Sequence, residues 1–86
     1  MISVIIPTLN EEEHIASVVN YARAQPHVSE VIVVDDKSLD KTVSVARTNG
    51  AKVISSTRIG KGASMKDGII FASNEIIAFL DGDIDP

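Results

Sequence analysis

The chain contains no cysteine, and aromatic residues make up only 3% of its 86 positions. Without cysteine, neither a disulfide scaffold nor a thiolate metal site is open to it, a composition that fits a reducing compartment. With so few rings it offers no stacking platform for bases. Basic residues are also scarce. Lys and Arg number 8 against 12 Asp and Glu, a formal net charge of -4, so the basic footprint that nucleic acid requires is missing. No apolar stretch approaches the roughly 20 residues that cross a bilayer. The first apolar run, Ile2 to Ile6, is too short for a signal-peptide core and follows no basic residue. No repeat, linker or low-complexity segment is evident. What remains, 44% apolar and 23% charged, is the balance of one soluble globular domain at most.

What is present reads as alternating strands and helices. Ile2, Val4, Ile5 and Ile6 form a near-continuous apolar run that stops at Pro7, the pattern of a strand buried on both faces. Asn10, with Glu13 three residues on, has capping-box spacing for a helix from about Glu11 to Ala24, closed by Pro26. Ile15, Val18, Val19 and Ala22 mark its apolar face. Val31 to Val34 is the second strand, followed by a short helix capped by Asp40 or Ser38, with Leu39, Val43 and Ala46 apolar and Asn49-Gly50 at its end. Val53 and Ile54 make a third strand. Gly60-Lys61-Gly62 opens a third helix with Met65, Ile69 and Ala72 on one face, and Ile76 to Leu80 is the fourth strand. The order predicts an α/β fold, a parallel β-α-β-α-β-α-β sheet with helices on both faces. Ligands in such sheets bind at the carboxyl ends of the strands, and the polar clusters follow strands one, two and four. Because the fourth strand ends in acidic residues just before Pro86, residues 1–86 are expected to be a single partial domain of a longer protein.

Several polar groups carry two readings. Asp81 and Asp83 flank Gly82, so both carboxylates can reach one hard cation such as Mg²⁺ or Mn²⁺, or they form an ordinary acidic turn. Asp35 reads as the cap of its own turn, and Asp36 either as a cap or as a hydrogen-bond partner for a ribose or base. Glu11, Glu12 and Glu13 complement a helix dipole and disfavour phosphate at that helix end. Lys61 is not in a P-loop, because Ser55 stands where that motif needs glycine and Gly62 where it needs Ser or Thr. It is either a solvated loop lysine or a cation near a diphosphate at a helix N-terminus. His14 and His27 read as surface residues. Neither a nucleophile elbow nor a dinucleotide glycine fingerprint is present.

Together the segments Val4-Ile5-Ile6-Pro7-Thr8-Leu9-Asn10-Glu11-Glu12, Val33-Val34-Asp35-Asp36-Lys37-Ser38-Leu39-Asp40-Lys41-Thr42, Gly60-Lys61-Gly62 and Phe79-Leu80-Asp81-Gly82-Asp83 resemble the nucleotide-sugar-binding half of a GT-A glycosyltransferase of family 2. The pattern is similar to polyprenyl-phosphate sugar transferases and glucosyl-3-phosphoglycerate synthases. The resemblance implies a Rossmann-like GT-A half-domain that binds a UDP- or GDP-sugar. It implies that Pro7, Thr8, Leu9 and Glu11 line the nucleoside pocket, that Asp36 sits beside the base, and that Lys61 lies near base or diphosphate. Asp81 and Asp83 would be the Asp-x-Asp motif, Asp83 foremost in holding Mg²⁺ or Mn²⁺ and Asp81 contributing to both metal and nucleotide. Lys37 departs from the family, where glycine is usual. The catalytic base and the acceptor site are expected downstream of Pro86, so that this chain alone is inactive and holds the donor side only. The acceptor is a polyprenyl phosphate, a phosphoglycerate or a saccharide. Cytoplasmic residence, and for a longer protein the cytoplasmic face of a membrane, completes the implication.

Two other functions fit parts of the pattern. A receiver-like phosphoacceptor domain shares the parallel sheet and the Asp35-Asp36 pair, but there the pair follows the first strand. A non-catalytic fragment that binds a partner or self-associates through an uncovered sheet face is the other.

Overall fold

The computed structural model describes residues 1–57 and 61–83, and at positions 61 and 62 the backbone alone. Four strands and three helices alternate: β1 (Ile2–Thr8), α1 (Ile15–Ala24), β2 (Val28–Asp35), α2 (Thr42–Thr48), β3 (Lys52–Ser55), α3 (Lys61–Phe71) and β4 (Ile76–Phe79). The strands form one sheet in the order β3-β2-β1-β4, every pair parallel. This is the α/β architecture that the alternation predicts.

The apolar runs of β1 and β2 explain the two-sided core. Val4, Ile6, Val31 and Val33 pack on one face against Ile15, Val18, Val19 and Ala22 of α1 and Ala46 of α2. Ile5, Ile32 and Val34 face the other way, toward Ile54, Ala72 and Ile77. Successive side chains alternate across a strand, so a run of β-branched residues fills both layers at once.

The structure alters three local expectations. The first helix starts at Ile15, not Glu11, and Asn10 does not cap it. Asn10 instead adopts φ 52°, with its N–H donating to Ser38 Oγ at 2.8 Å and its Oδ1 accepting from Leu39 N–H at 2.8 Å. A partner across the fold outcompetes the local cap. Leu39, read as an apolar helix position, is 95% exposed because α2 begins only at Thr42. The buried face of α3 is also displaced. Ser64, Asp67 and Gly68 face inward, while Ile69, Ile70 and Phe71 are exposed. Gly68 is the reason: a Cβ there would collide with Ile5 Cγ2. The helix approaches the sheet closest where it has no side chain, and that contact selects the stripe running through Ser64 and Gly68, four residues apart.

Candidate functional site

Sheet topology places the cleft. The chain lays down β1, β2 and β3 outward in one direction, then returns through α3 to set β4 on the opposite side of β1. Connections therefore diverge at the carboxyl ends of β1 and β4, the switch point at which open α/β sheets bind ligands. A cleft of about 340 Å³ opens there, lined by Pro7, Thr8, Leu9, Glu11, Asp36, Ser64, Asp81, Gly82 and Asp83.

Pro7 lies within β1, one residue short of the strand's end. The Ile5 carbonyl accepts from Leu80 N–H at 3.0 Å on the β4 side, and the Thr8 carbonyl accepts from Asp36 N–H at 2.9 Å on the β2 side. Backbone groups alternate sides along a strand, so the Pro7 nitrogen faces β4. Its missing donor falls beyond Phe79, where the β4 ladder has ended. Proline is tolerated for that reason, and β4 is released to open the cleft. Thr8 follows, 5% exposed, and its hydroxyl has no hydrogen-bond partner among the described residues. A buried, unpaired hydroxyl lining a cleft is costly in the free protein and suited to a polar ligand.

The loop after β1 is laced to the loop after β2. Glu11 N–H donates to Thr42 Oγ1 at 2.8 Å and Glu12 N–H to Asp40 Oδ2 at 3.2 Å. Asp40 Oδ1 accepts from Thr42 N–H at 2.9 Å and from the Thr42 hydroxyl. That hydroxyl, with the backbone donors, holds the Asp40 carboxyl below its usual range. Asp40, one of the two expected caps, thus ties the start of α2 to the loop before α1, while the cap position of α2 is Lys41, which makes no side-chain cap bond. Ser38 does not cap α2. It donates from N–H and Oγ to Asp35 at 3.0 and 2.5 Å, so Asp35 ties its own turn while its neighbour Asp36 lines the cleft. Lys37, between Asp36 and Ser38, sits at φ 60°, the left-handed region that glycine enters without penalty.

On the far wall, Gly82 is pressed against β1. A Cβ on it would stand 2.6 Å from Thr8 Cγ2 and 3.3 Å from the Pro7 carbonyl oxygen. That approach brings the exposed carboxylates of Asp81 and Asp83 to the rim. Among the described residues no group of three or more His, Cys, Asp or Glu side chains could hold an ion. Two carboxylates nevertheless suit a hard cation that also takes water and ligand phosphate oxygens. The pair therefore has the chemistry to contribute to a site for Mg²⁺ or Mn²⁺.

Seven of the residues singled out from sequence, Pro7, Thr8, Leu9, Glu11, Asp36, Asp81 and Asp83, line this one cleft. The side chain of Lys61 lies outside the described residues. Ser64, only 1% exposed, was missed. Its signal was its place in the first turn of the helix that Lys61 opens. Among the described residues no helix is long and apolar enough to cross a membrane.

Known proteins share this arrangement. Residues 3–84 match the family model described as glycosyl transferase family 2. An uncharacterised glycosyltransferase of Mycobacterium tuberculosis is 37% identical over 82 residues, which cover 95% of this chain and 36% of that protein. Glucosyl-3-phosphoglycerate synthase of Mycolicibacterium smegmatis is 38% identical over 96 residues, 99% of this chain and 32% of the relative. The crystal structure of glucosyl-3-phosphoglycerate synthase from Mycobacterium tuberculosis with Mn²⁺, uridine diphosphate and glucosyl-3-phosphoglycerate superposes with a TM-score of 0.90 at 36% identity, over 100% of this chain and 35% of that one. The chain thus spans about a third of the length of the curated relatives it matches. With the family model spanning almost every position and three of the four motifs meeting in one cleft, the chain belongs to glycosyl transferase family 2.

Proposed function

We propose that the cleft is the donor site of a metal-dependent glycosyltransferase and takes a nucleoside-diphosphate sugar, with UDP as the nucleotide. The observation that carries the proposal is convergence. Residues after β1, after β2 and after β4, together with the first turn of α3, meet at one switch-point cleft. The relatives' crystal structures with uridine diphosphate and Mn²⁺ or Mg²⁺ support the choice of nucleotide and ion. In this reading Pro7, Thr8, Leu9 and Glu11 line the nucleoside pocket, and the Thr8 hydroxyl finds its partner on the ligand. Asp36 lies beside the base and Lys61, the first residue of α3, near the base or diphosphate. Asp83 and Asp81 hold the cation, which when bound neutralises charge on the departing diphosphate.

In the transfer, the bond from the anomeric carbon to the diphosphate oxygen breaks, and its electron pair leaves with the nucleotide. The acceptor oxygen forms the new bond and gives up its proton. The cleft residues are assigned to the donor alone. A phosphoglycerate, named in two relatives, is the first acceptor to assay.

The test is calorimetric titration with UDP and GDP, with and without Mn²⁺. Saturable UDP binding that Mn²⁺ strengthens, with GDP weaker, is expected. Folded protein that binds neither nucleotide, or binds UDP equally without metal, would sink the proposal.

A further inference from the structure

One buried cluster lies at the opposite, amino end of the sheet. Glu30, near the start of β2, is 7% exposed, and a carboxylate at that depth is tolerated only when paired. It accepts from Ser3 Oγ of β1 at 2.7 Å and from Lys52 Nζ of β3 at 2.6 Å. It also accepts from Ser73 N–H at 2.8 Å and from the Ser73 hydroxyl at 3.1 Å. Asn74 Nδ2 donates to Ser3 Oγ at 3.0 Å and to Ser29 Oγ at 2.8 Å. One carboxylate thus joins β1, β2 and β3 to the connection that leads into β4.

That connection matters because it leads directly into β4. Among the described residues β4 is a four-residue strand paired with β1, from Ile2↔Ile76 to Ile5↔Phe79. Its Ile77 packs on the Ile5, Ile32 and Val34 layer and Leu80 beyond it on the other, while Ile76 and Phe79 are 59% and 38% exposed, so packing fixes its register only in part. Yet register decides the cleft. A slip of one residue turns every side chain to the other face, and would move Gly82 off Thr8 and Asp81 and Asp83 off the rim.

We propose that Glu30 is a positioning residue for the cleft: by gripping Ser73 from the interior strands it fixes β4 in register on β1, and so sets where Asp81 and Asp83 stand at the far end. The inference rests on the reading of the cleft as a metal-dependent donor site.

The test compares Glu30→Gln, Glu30→Ala and Ser73→Ala with the wild type at neutral pH, each well below its unfolding midpoint. Amide exchange by NMR reads the strands, and calorimetry reads UDP binding with and without Mn²⁺. In Glu30→Gln the β4 amides should exchange about tenfold faster while β1 to β3 hold. The Mn²⁺-dependent part of UDP affinity should fall about tenfold, the lower end of what is lost when a group that orients metal ligands is removed. Metal-free UDP binding, carried by β1 and β2, should stay. Glu30→Ala should exceed Glu30→Gln on both readouts. Unchanged β4 exchange, uniform loosening of all strands, or selective loosening with intact Mn²⁺ dependence each overturns the proposal. Should the wild type bind no UDP with Mn²⁺, the donor-site reading falls by itself. Exchange then judges the grip: selective release of β4 upholds it, and any other pattern rejects it. Ser73→Ala removes one hydroxyl and keeps the backbone donor, so it covers the case in which the Glu30 variants fail to fold. The same selective change, smaller in size, is expected, and its absence rejects the grip.

Discussion

The two ends of one sheet solve the same problem in opposite ways. At the amino end, Glu30 takes hydrogen bonds from Ser3, Lys52 and both donors of Ser73. Burial alone would raise its pKa, and the Lys52 ammonium with the Ser73 and Ser3 donors reverses that, lowering it from 4.5 to about 2. At the carboxyl end, Thr8 keeps a buried hydroxyl without a partner among the described residues, beside the exposed carboxylates of Asp81 and Asp83. Under the proposed function, polar groups that serve the fold are satisfied within it, whereas the Thr8 hydroxyl is left for a ligand. Stability should therefore track the amino end and binding the carboxyl end.

The most severe test of that division is Asp83→Ala. Mn²⁺-dependent UDP affinity should fall by about 100-fold, roughly 2.7 kcal/mol, through loss of a charged ligand to the cation. Because Asp83 is exposed, its unfolding midpoint should stay within about 2 °C of wild type. A large drop in that midpoint, or an unaltered isotherm, breaks the comparison.

Acid addresses the other end. The folded-state pKa of Glu30 lies below its ordinary value, so its contribution is complete above about pH 4.5 and is lost as pH falls toward 2. Chemical denaturation across that window should show about 2–3 kcal/mol of stability disappearing, and Glu30→Gln should flatten the slope. An equally steep slope in the variant assigns the acid sensitivity elsewhere.

Thr8→Val sharpens the comparison at a single atom. Replacing an unpartnered buried hydroxyl with a methyl of the same shape should leave stability unchanged or raise it by about 1 kcal/mol, while UDP affinity falls. Loss of stability would mean that the hydroxyl already serves the fold. Smallest is Lys37→Gly, which relieves a side chain held at φ 60° and should add about 0.5–1 kcal/mol by thermal unfolding, because the left-handed penalty exceeds the extra entropy of glycine. A decrease would show that the Lys37 side chain contributes more than its backbone costs.

Much of this was legible from residue order. The runs in β1 and β2 marked both-face burial, and Asn49-Gly50 marked the end of α2, where Gly50 has φ 95°. Seven of the eight residues assigned to the donor and metal site line one cleft. The failures share a cause. Asn10 looked like a cap for its own helix until Ser38 and Leu39 were brought beside it. Met65, Ile69 and Ala72 had the periodicity of a buried face, and Ala72 does pack on the core, but the near approach at Gly68 leaves Ile69 exposed. Glu30 carried no local signal, since its partners Ser3 and Ser73 are distant in the chain.

The linear order of residues by itself determined the alternation of strands and helices, the parallel α/β class and the four clusters at element ends. Periodicity, β-branching and turn chemistry act between neighbours a few positions apart, and a linear reading reaches that far. Tertiary structure alone decided that β4 lies beside β1 rather than β3, that Gly82 touches Thr8, and that one buried carboxylate bonds Ser73 in the connection leading into β4. Those outcomes depend on close packing and hydrogen bonding between groups up to seventy-odd residues apart, such as Ser3 and Asn74, and such pairings have no signature until the chain closes on itself.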